Sequence, residues 1–119
     1  MRKCGVLMHI TSLPSPYGVG TLGREAREFV KWLKKAGQSL WQVLPLGTTS
    51  FGDSPYQSFS AFAGNHYLID LETLVSDGLL TAEECKSADL STTEARVDFA
   101  KLYKGKIPLL RQAFKRFKP

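Results

Sequence analysis

Between residues 6 and 46 the spacing of apolar residues changes period twice, and this constrains the fold more than any other feature of the chain. Val6 to Ile10 is a short continuous apolar run, as expected of a strand buried on both faces. From Arg24 the spacing turns helical. Ala26, Phe29, Val30 and Leu33 fall at i, i+3, i+4 and i+7, while Arg24, Glu28, Lys31, Lys34 and Lys35 take the wet side. Lys34 and Lys35 suit the negative helix end, and Gly37 is placed to close it in left-handed geometry. Leu40 to Leu46 reads as a second buried strand, interrupted by Pro45 near its end. Strand, helix and strand within about 40 residues make a βαβ unit with a right-handed crossover. Two parallel strands cannot stand alone, because each needs covering helices and further neighbours. The pattern predicts the opening of a larger α/β domain.

No further βα unit follows residue 70. Glu72 to Asp77 reads as a helix closed by Gly78, and Thr81 with Glu84 forms the capping box of a short helix. A helix is expected from about Thr93 to Tyr103, ending at Gly105, and another from Pro108. Leu110, Ala113, Phe114 and Phe117 would be the apolar stripe of that last helix. The expected division is a barrel segment over 1–80 and a helical insertion segment over 81–119.

The chain carries 16 Lys and Arg against 11 Asp and Glu, a net charge of +5 that would suit a polyanion. Its distribution points elsewhere. Seven of the cations (Lys101, Lys104, Lys106, Arg111, Lys115, Arg116 and Lys118) lie in residues 101–119 with no acid, leaving 9 cations against 11 acids before them. A helix that binds bases needs exposed aromatics among its cations, whereas Phe114 and Phe117 fall on the expected apolar stripe. The basic residues therefore read as a solvated face, and no nucleic-acid partner is expected. Cys4 and Cys85, 81 positions apart, read as reduced thiols. No apolar run reaches the roughly 20 residues that cross a bilayer, and the run after Arg2-Lys3 is shorter than a secretory core of roughly 7–15 residues. A cytoplasmic protein without a membrane partner is expected.

Gly18-Val-Gly20-Thr-Leu-Gly23 matches G-x-G-x-x-G between a strand and a helix. A dinucleotide site needs its first glycine directly after the strand and an acid about 20 residues on. Here seven residues, Thr11 to Tyr17, intervene, and Leu44-Pro45-Leu46-Gly47 stands where the acid would. The glycines read as loop benders, and no cofactor is expected. The only histidines are His9 and His66, no G-x-S-x-G elbow occurs, and no metal-ligand spacing joins them to Cys4 or Cys85. His9 reads as a satisfied strand-end side chain.

Residues 47–65 leave the expected C-terminal end of the second strand, where α/β folds gather ligand-binding residues. Phe51, Tyr56, Phe59 and Phe62 are interleaved there with Asp53, Ser54, Gln57, Ser58, Ser60 and Asn65. Aromatic faces for sugar C–H surfaces, with amides and hydroxyls for sugar OH groups, are what a carbohydrate cleft needs. The same composition suits a polar loop pinned by buried phenylalanines. On composition the two readings stand level.

Four stretches carry a resemblance: Gly5-Val-Leu-Met-His-Ile-Thr-Ser-Leu-Pro14, Tyr17-Gly-Val-Gly20, Leu40-Trp-Gln-Val-Leu-Pro-Leu46 and Ser54-Pro-Tyr-Gln-Ser-Phe-Ser-Ala-Phe-Ala-Gly-Asn65. They resemble the 4-alpha-glucanotransferase (amylomaltase, or disproportionating enzyme) family, in register from residue 5 to about residue 80. Residues 90–119 share only a charged, helical character with that family's helical insertion. The family usually has Asp where Thr21 stands, and Pro where Thr48 and His66 stand.

The resemblance implies an α/β fold that starts a (β/α)8 TIM barrel, with residues 6–10 and 40–46 as its first two strands, followed by a helical subdomain segment. It implies transfer of α-1,4-glucan segments to glucose or a malto-oligosaccharide by a retaining double displacement. Such a mechanism uses two carboxylic acids about 5–5.5 Å apart. In the family these acids, and a third that assists them, lie on later strands. No catalytic residue is assigned within this chain, and an N-terminal fragment without transfer activity of its own is expected. Substrate binding is what carries over. Tyr56 resembles the tyrosine lining the sugar next to the cleaved bond, flanked by Ser54 and Gln57, with Asp53 and Asn65 supporting the loop and Asp70 structural. The implied partners are α-1,4-glucans, malto-oligosaccharides and glucose. The alternatives are a related α-glucan hydrolase and a non-catalytic α-glucan-binding or assembly module.

Overall fold

The computed structural model of the chain describes residues 1–93 and 95–118, with Phe51 described in its backbone alone. Strands β1 (Gly5–Leu7) and β2 (Leu40–Gln42) pair in parallel, Gly5 opposite Leu40, Val6 opposite Trp41 and Leu7 opposite Gln42. A Cβ at position 5 would stand 2.6 Å from the Leu40 carbonyl oxygen, so the strands approach there only because residue 5 is glycine. Helix α1 (Arg24–Lys35) joins the strands, completing the strand-helix-strand order expected from the periodicity. It packs through Phe29, whose ring meets Trp41 edge-on at 4.9 Å. The Trp41 indole N–H in turn donates to the Met8 carbonyl at 2.7 Å. Gly37, at φ 72°, closes the helix: its N–H donates to Lys34 O and that of Gln38 to Leu33 O, a Schellman pair.

Both strands are shorter than the apolar runs, and neither is buried on both faces. In each, the central residue is half-buried and its neighbours are exposed, because a sheet of two strands leaves both outer edges open. The first run makes its last bond to β2 from the Met8 N–H to the Gln42 carbonyl, because the chain then turns at Ile10–Ser12 into a short 3-10 turn. That turn buries Ile10 with Leu13, Ala26 and Leu68 in one core cluster.

After β2 the chain is helical. Helix α2 (Leu71–Ser76) is capped by Asp70, whose side chain accepts the Thr73 N–H, and it ends at Gly78 with φ 74°. Helix α3 (Ala82–Ser87) carries the expected capping box, with Thr81 and Glu84 each accepting the other's backbone N–H. The two helices expected beyond residue 92 are instead one, α4 (Phe99–Arg116), started by Asp98. The expected start overlaps Glu94, which lies outside the described residues. Gly105 does not end α4: a Cβ there would stand 2.8 Å from Leu90 Cδ2, so the bare backbone is where the 89–90 segment lies against the helix. Pro108 sits on the exposed side of the same helix. Burial of Leu102, Lys106 and Ala113 holds both halves together across these breakers.

The apolar stripe and the basic face also differ from expectation. Ala113 is buried and Leu110 partly so, but Phe114 and Phe117 are exposed, since the buried face of one continuous helix runs through 102, 106 and 113. For the same reason Lys106 is not on the solvated face but fully buried. The larger core cluster unites Val19, Tyr67 and Leu71 with Leu80, Cys85, Leu90, Leu102 and Ala113. Arg116 clamps α4 to α3, donating to both Glu84 carboxylate oxygens at 2.8 and 2.7 Å and to the Leu79 carbonyl at 3.1 Å. Among the described residues no helix is long and apolar enough to cross a membrane.

Candidate functional site

Residues 47–64 form a loop closed at its neck. The Asn65 N–H donates to the Leu46 carbonyl at 2.8 Å, and Gly47 and Gly64 pair in an isolated antiparallel bridge. The loop thus leaves and returns at the end of the sheet beyond the C-termini of both parallel strands.

Inside the loop short polar side chains fix the backbone. The Thr49 hydroxyl donates to the Asp53 carboxylate at 3.3 Å, and Asp53 itself follows Gly52 with both at positive φ. Ser54 Oγ accepts the Tyr56 N–H at 3.3 Å, and the Ser54 carbonyl accepts the Gln57 N–H at 3.1 Å, so 54–57 is a tight turn initiated by serine. Ser58 Oγ donates to the Ser60 carbonyl at 2.7 Å, while Ser60 Oγ accepts the N–H groups of Phe62 and Ala63. These bonds engage the small hydroxyls, Ser54 as an acceptor with its O–H still available to donate, and leave the larger side chains outward. Tyr56 is 72% exposed, Phe59 79% and Phe62 99%, and Gln57 is exposed as well. Neither Phe59 nor Phe62 pins the loop, so the reading of a polar loop held by buried phenylalanines has no support from these two; the Phe51 side chain lies outside the described residues.

Ser54, Tyr56 and Gln57 therefore share one exposed turn, and Asp53 lies at its edge. Asn65 is elsewhere: it is buried, and its Oδ1 accepts the Tyr67 N–H at 2.9 Å, capping the 3-10 turn His66–Leu68 at the neck. Asp70 ties the flanking segments together. It accepts from Thr73 N and Oγ1 and from the Thr21 hydroxyl at 2.9 Å. Burial would raise its carboxyl, but the Thr73 and Thr21 bonds outweigh burial and hold it below the ordinary value. A groove of about 390 Å³ adjoins the neck, lined by Leu22, Leu46, Asn65, Leu68, Asp70 and Leu74 among others, and the 54–57 turn stands apart from it.

The glycine motif faces protein. A Cβ on Gly18 would overlap the Leu90 carbonyl, one on Gly20 the Ile10 carbonyl and one on Gly23 the Asp70 carboxylate, so these glycines mark close packing of the 11–23 loop. His9 is not satisfied as expected: its Nδ1 is buried with no hydrogen-bond partner, because the chain leaves the sheet before reaching it. His66 Nε2 is likewise buried and unpartnered. Burial lowers the pKa of both imidazoles, and for His66 the Lys106 charge adds to it. Among the described residues no three His, Cys, Asp or Glu side chains come together as a metal site.

One residue at the neck stands in the sequence as one more solvated cation of 101–119, and the structure gives it another place. Lys106, 0% exposed, reaches from α4 to donate from Nζ to the Tyr67 carbonyl at 2.7 Å. Burial pushes its ammonium down to about 8, against the opposing pull of Asp70 and Cys85. The signal was its place at i+4 from Leu102, legible only once the two expected helices are one.

The sequence profile of the 4-alpha-glucanotransferase family matches residues 8–119. A 4-alpha-glucanotransferase of Thermus thermophilus is 57% identical over 117 residues, covering 98% of this chain and 22% of that protein. One from Streptococcus pneumoniae is 54% identical over 116 residues, with 98% and 23% covered. A chloroplastic/amyloplastic 4-alpha-glucanotransferase of Solanum tuberosum is 48% identical over 119 residues, with 97% and 20% covered. Among solved structures, an amylomaltase from Streptococcus agalactiae in complex with acarbose superposes with a TM-score of 0.94 at 50% identity, over 98% of this chain and 24% of that one. The chain thus spans about a quarter of the length of the relatives it matches.

Proposed function

Because the chain belongs to the 4-alpha-glucanotransferase family, we propose that it supplies the first portion of an enzyme that transfers α-1,4-glucan segments to glucose or a malto-oligosaccharide. In this reading the βαβ unit is the start of a (β/α)8 barrel, with residues 1–80 in the barrel and 81–119 in a helical insertion. Transfer proceeds by retaining double displacement between two carboxylic acids. Neither is assigned to these 119 residues, so the chain by itself would have no transfer activity. Glucose, malto-oligosaccharides and longer α-1,4-glucans are the partners, and the cytoplasm is the compartment. A structural relative bound to acarbose supports a glucan-type ligand.

The observation that carries the site reading is the exposed turn at 54–57, held by its own backbone bonds at the C-terminal end of parallel strands. An aromatic face left free beside a hydroxyl and a primary amide suits a sugar ring, which offers C–H groups on its face and hydroxyls at its edge. Tyr56 stacks on the sugar, Ser54 and Gln57 meet its hydroxyls, and Asp53 and Asn65 keep the turn and its neck in shape.

Tyr56→Ala in the full-length transferase is the test. Removing an exposed ring leaves the fold intact, and kcat/KM for maltotriose disproportionation should fall about 10-fold or more. Unaltered kinetics would remove Tyr56 from the site.

A further inference from the structure

We propose that Lys106 is a positioning residue for the sugar-binding turn, holding the neck of the 47–64 loop in place from helix α4. The inference rests on reading residues 54–57 as that turn. Its basis is an unbroken chain of short bonds. Lys106 Nζ donates to Tyr67 O at 2.7 Å. Tyr67 N–H donates to Asn65 Oδ1 at 2.9 Å. Asn65 N–H then donates to Leu46 O at 2.8 Å, where the loop closes on the strand side. Each link fixes the residue that makes the next, so the angle at which the loop leaves the sheet is set from α4.

The alternative is a lysine that merely fills space, and burial argues against it. An ammonium with no exposure loses its hydration, and a well-packed apolar residue of similar volume is often as stable or more so. What methionine could not do is donate to the Tyr67 carbonyl. The charged and titratable groups facing the ammonium are Asp70 at the start of α2, Cys85 of α3 and His66 of the neck turn. Asp70 is held ionised and His66 neutral, so the cation persists at neutral pH with one carboxylate in its field.

The test is a cycle in the full-length transferase: wild type, Tyr56→Ala, Lys106→Met and the double variant, assayed for maltotriose disproportionation. Lys106→Met should raise KM about 10-fold while kcat holds within about two-fold, the signature of lost uniform binding. Added to Tyr56→Ala, it should raise KM by no more than about two-fold, since the turn it positions is already disarmed. An equal change in both backgrounds, or no change in KM for Lys106→Met, overturns the proposal. Wild-type kinetics for Tyr56→Ala would instead overturn the sugar-binding reading, and the proposal with it. Should Lys106→Met fail to fold, the wild-type enzyme decides. Amide protection at Asn65 and Tyr67, corrected for intrinsic exchange, should rise about 10-fold or more from pH 7 to 9.5, because opening the neck returns Lys106 to water, where it holds a proton that the closed neck gives up. Constant protection across that range overturns the proposal.

Discussion

Replacing Lys106 by methionine should alter how stability depends on pH, by an amount that follows from the burial of one ammonium. A folded pKa of about 8 in place of the ordinary 10.5 amounts to about 3 kcal/mol of opposition to the charged form. Methionine removes that cost but leaves the Tyr67 carbonyl without its donor, a loss of about 1–3 kcal/mol. The two nearly cancel, so at pH 7 variant and wild type should unfold at similar urea concentrations. Raising the pH separates them. The unfolded chain keeps the lysine proton up to about 10.5 and the native state releases it near 8. Between those values the unfolded state binds more protons, and the wild type gains stability as pH climbs. By pH 9.5 that gain over pH 7 is about 2 kcal/mol, and the variant has none of it. The phenols of Tyr17 and Tyr67, both raised by burial, act in the opposite sense but in both proteins, so they drop out of the difference. The Cys85 thiol, raised by burial and drawn down by Lys106, loses that pull in the variant and shifts the difference further in the same direction. Urea unfolding of the full-length transferase and its Lys106→Met variant, followed by far-UV circular dichroism at both pH values, measures it. A stability difference constant to within about 0.5 kcal/mol would show that the ammonium is solvated in the folded state and refute the reasoning.

Two further substitutions probe α4. The Glu84 carboxylate is held down to about 2, first by the Arg116 hydrogen bonds and then by the Thr81 N–H. Its contribution is therefore complete above the ordinary 4.5 and drains away as pH falls toward 2. Glu84→Gln should flatten the acid unfolding curve across that interval, and a variant curve parallel to the wild type's would count against the clamp. Pro108 offers no N–H to the Lys104 carbonyl one turn back and lies on the exposed side of α4. Pro108→Ala should raise stability by about 1–3 kcal/mol, read as a higher melting temperature. A lower one would mean that the ring is packed.

What the sequence disclosed was whatever depends on near neighbours. Ala26, Phe29 and Leu33 of the α1 stripe, its left-handed Gly37 stop, the helix expected at 72–77 with its Gly78 stop and the Thr81–Glu84 box are set within a few residues and formed, although Val30 of that stripe is 51% exposed. The polar and aromatic make-up of 47–65 was equally plain. Strand ends were not, because Ile10 satisfies its hydrophobicity by turning into a core with Leu68, 58 positions away. Gly105 and Pro108 look like stops in any local window. They are overridden by Leu102, Lys106 and Ala113, which are buried only when Tyr67, Leu71 and Leu90 come up against them. Splitting α4 in two also hid Lys106 among the solvated cations and put Phe114 on the wrong side of the helix.

The bond from Lys106 to Tyr67 spans 39 positions of chain, and that distance is also a delay. On a ribosome adding about 5–20 residues per second, Tyr67 emerges roughly 2–8 s before the lysine that will hold its carbonyl. Throughout that interval the nascent loop neck has only its own turn bonds. A translational pause in the codons for 68–106 would lengthen the wait, and a chaperone that shields apolar side chains would have Tyr67 and Leu71 within reach before α4 arrives to bury them.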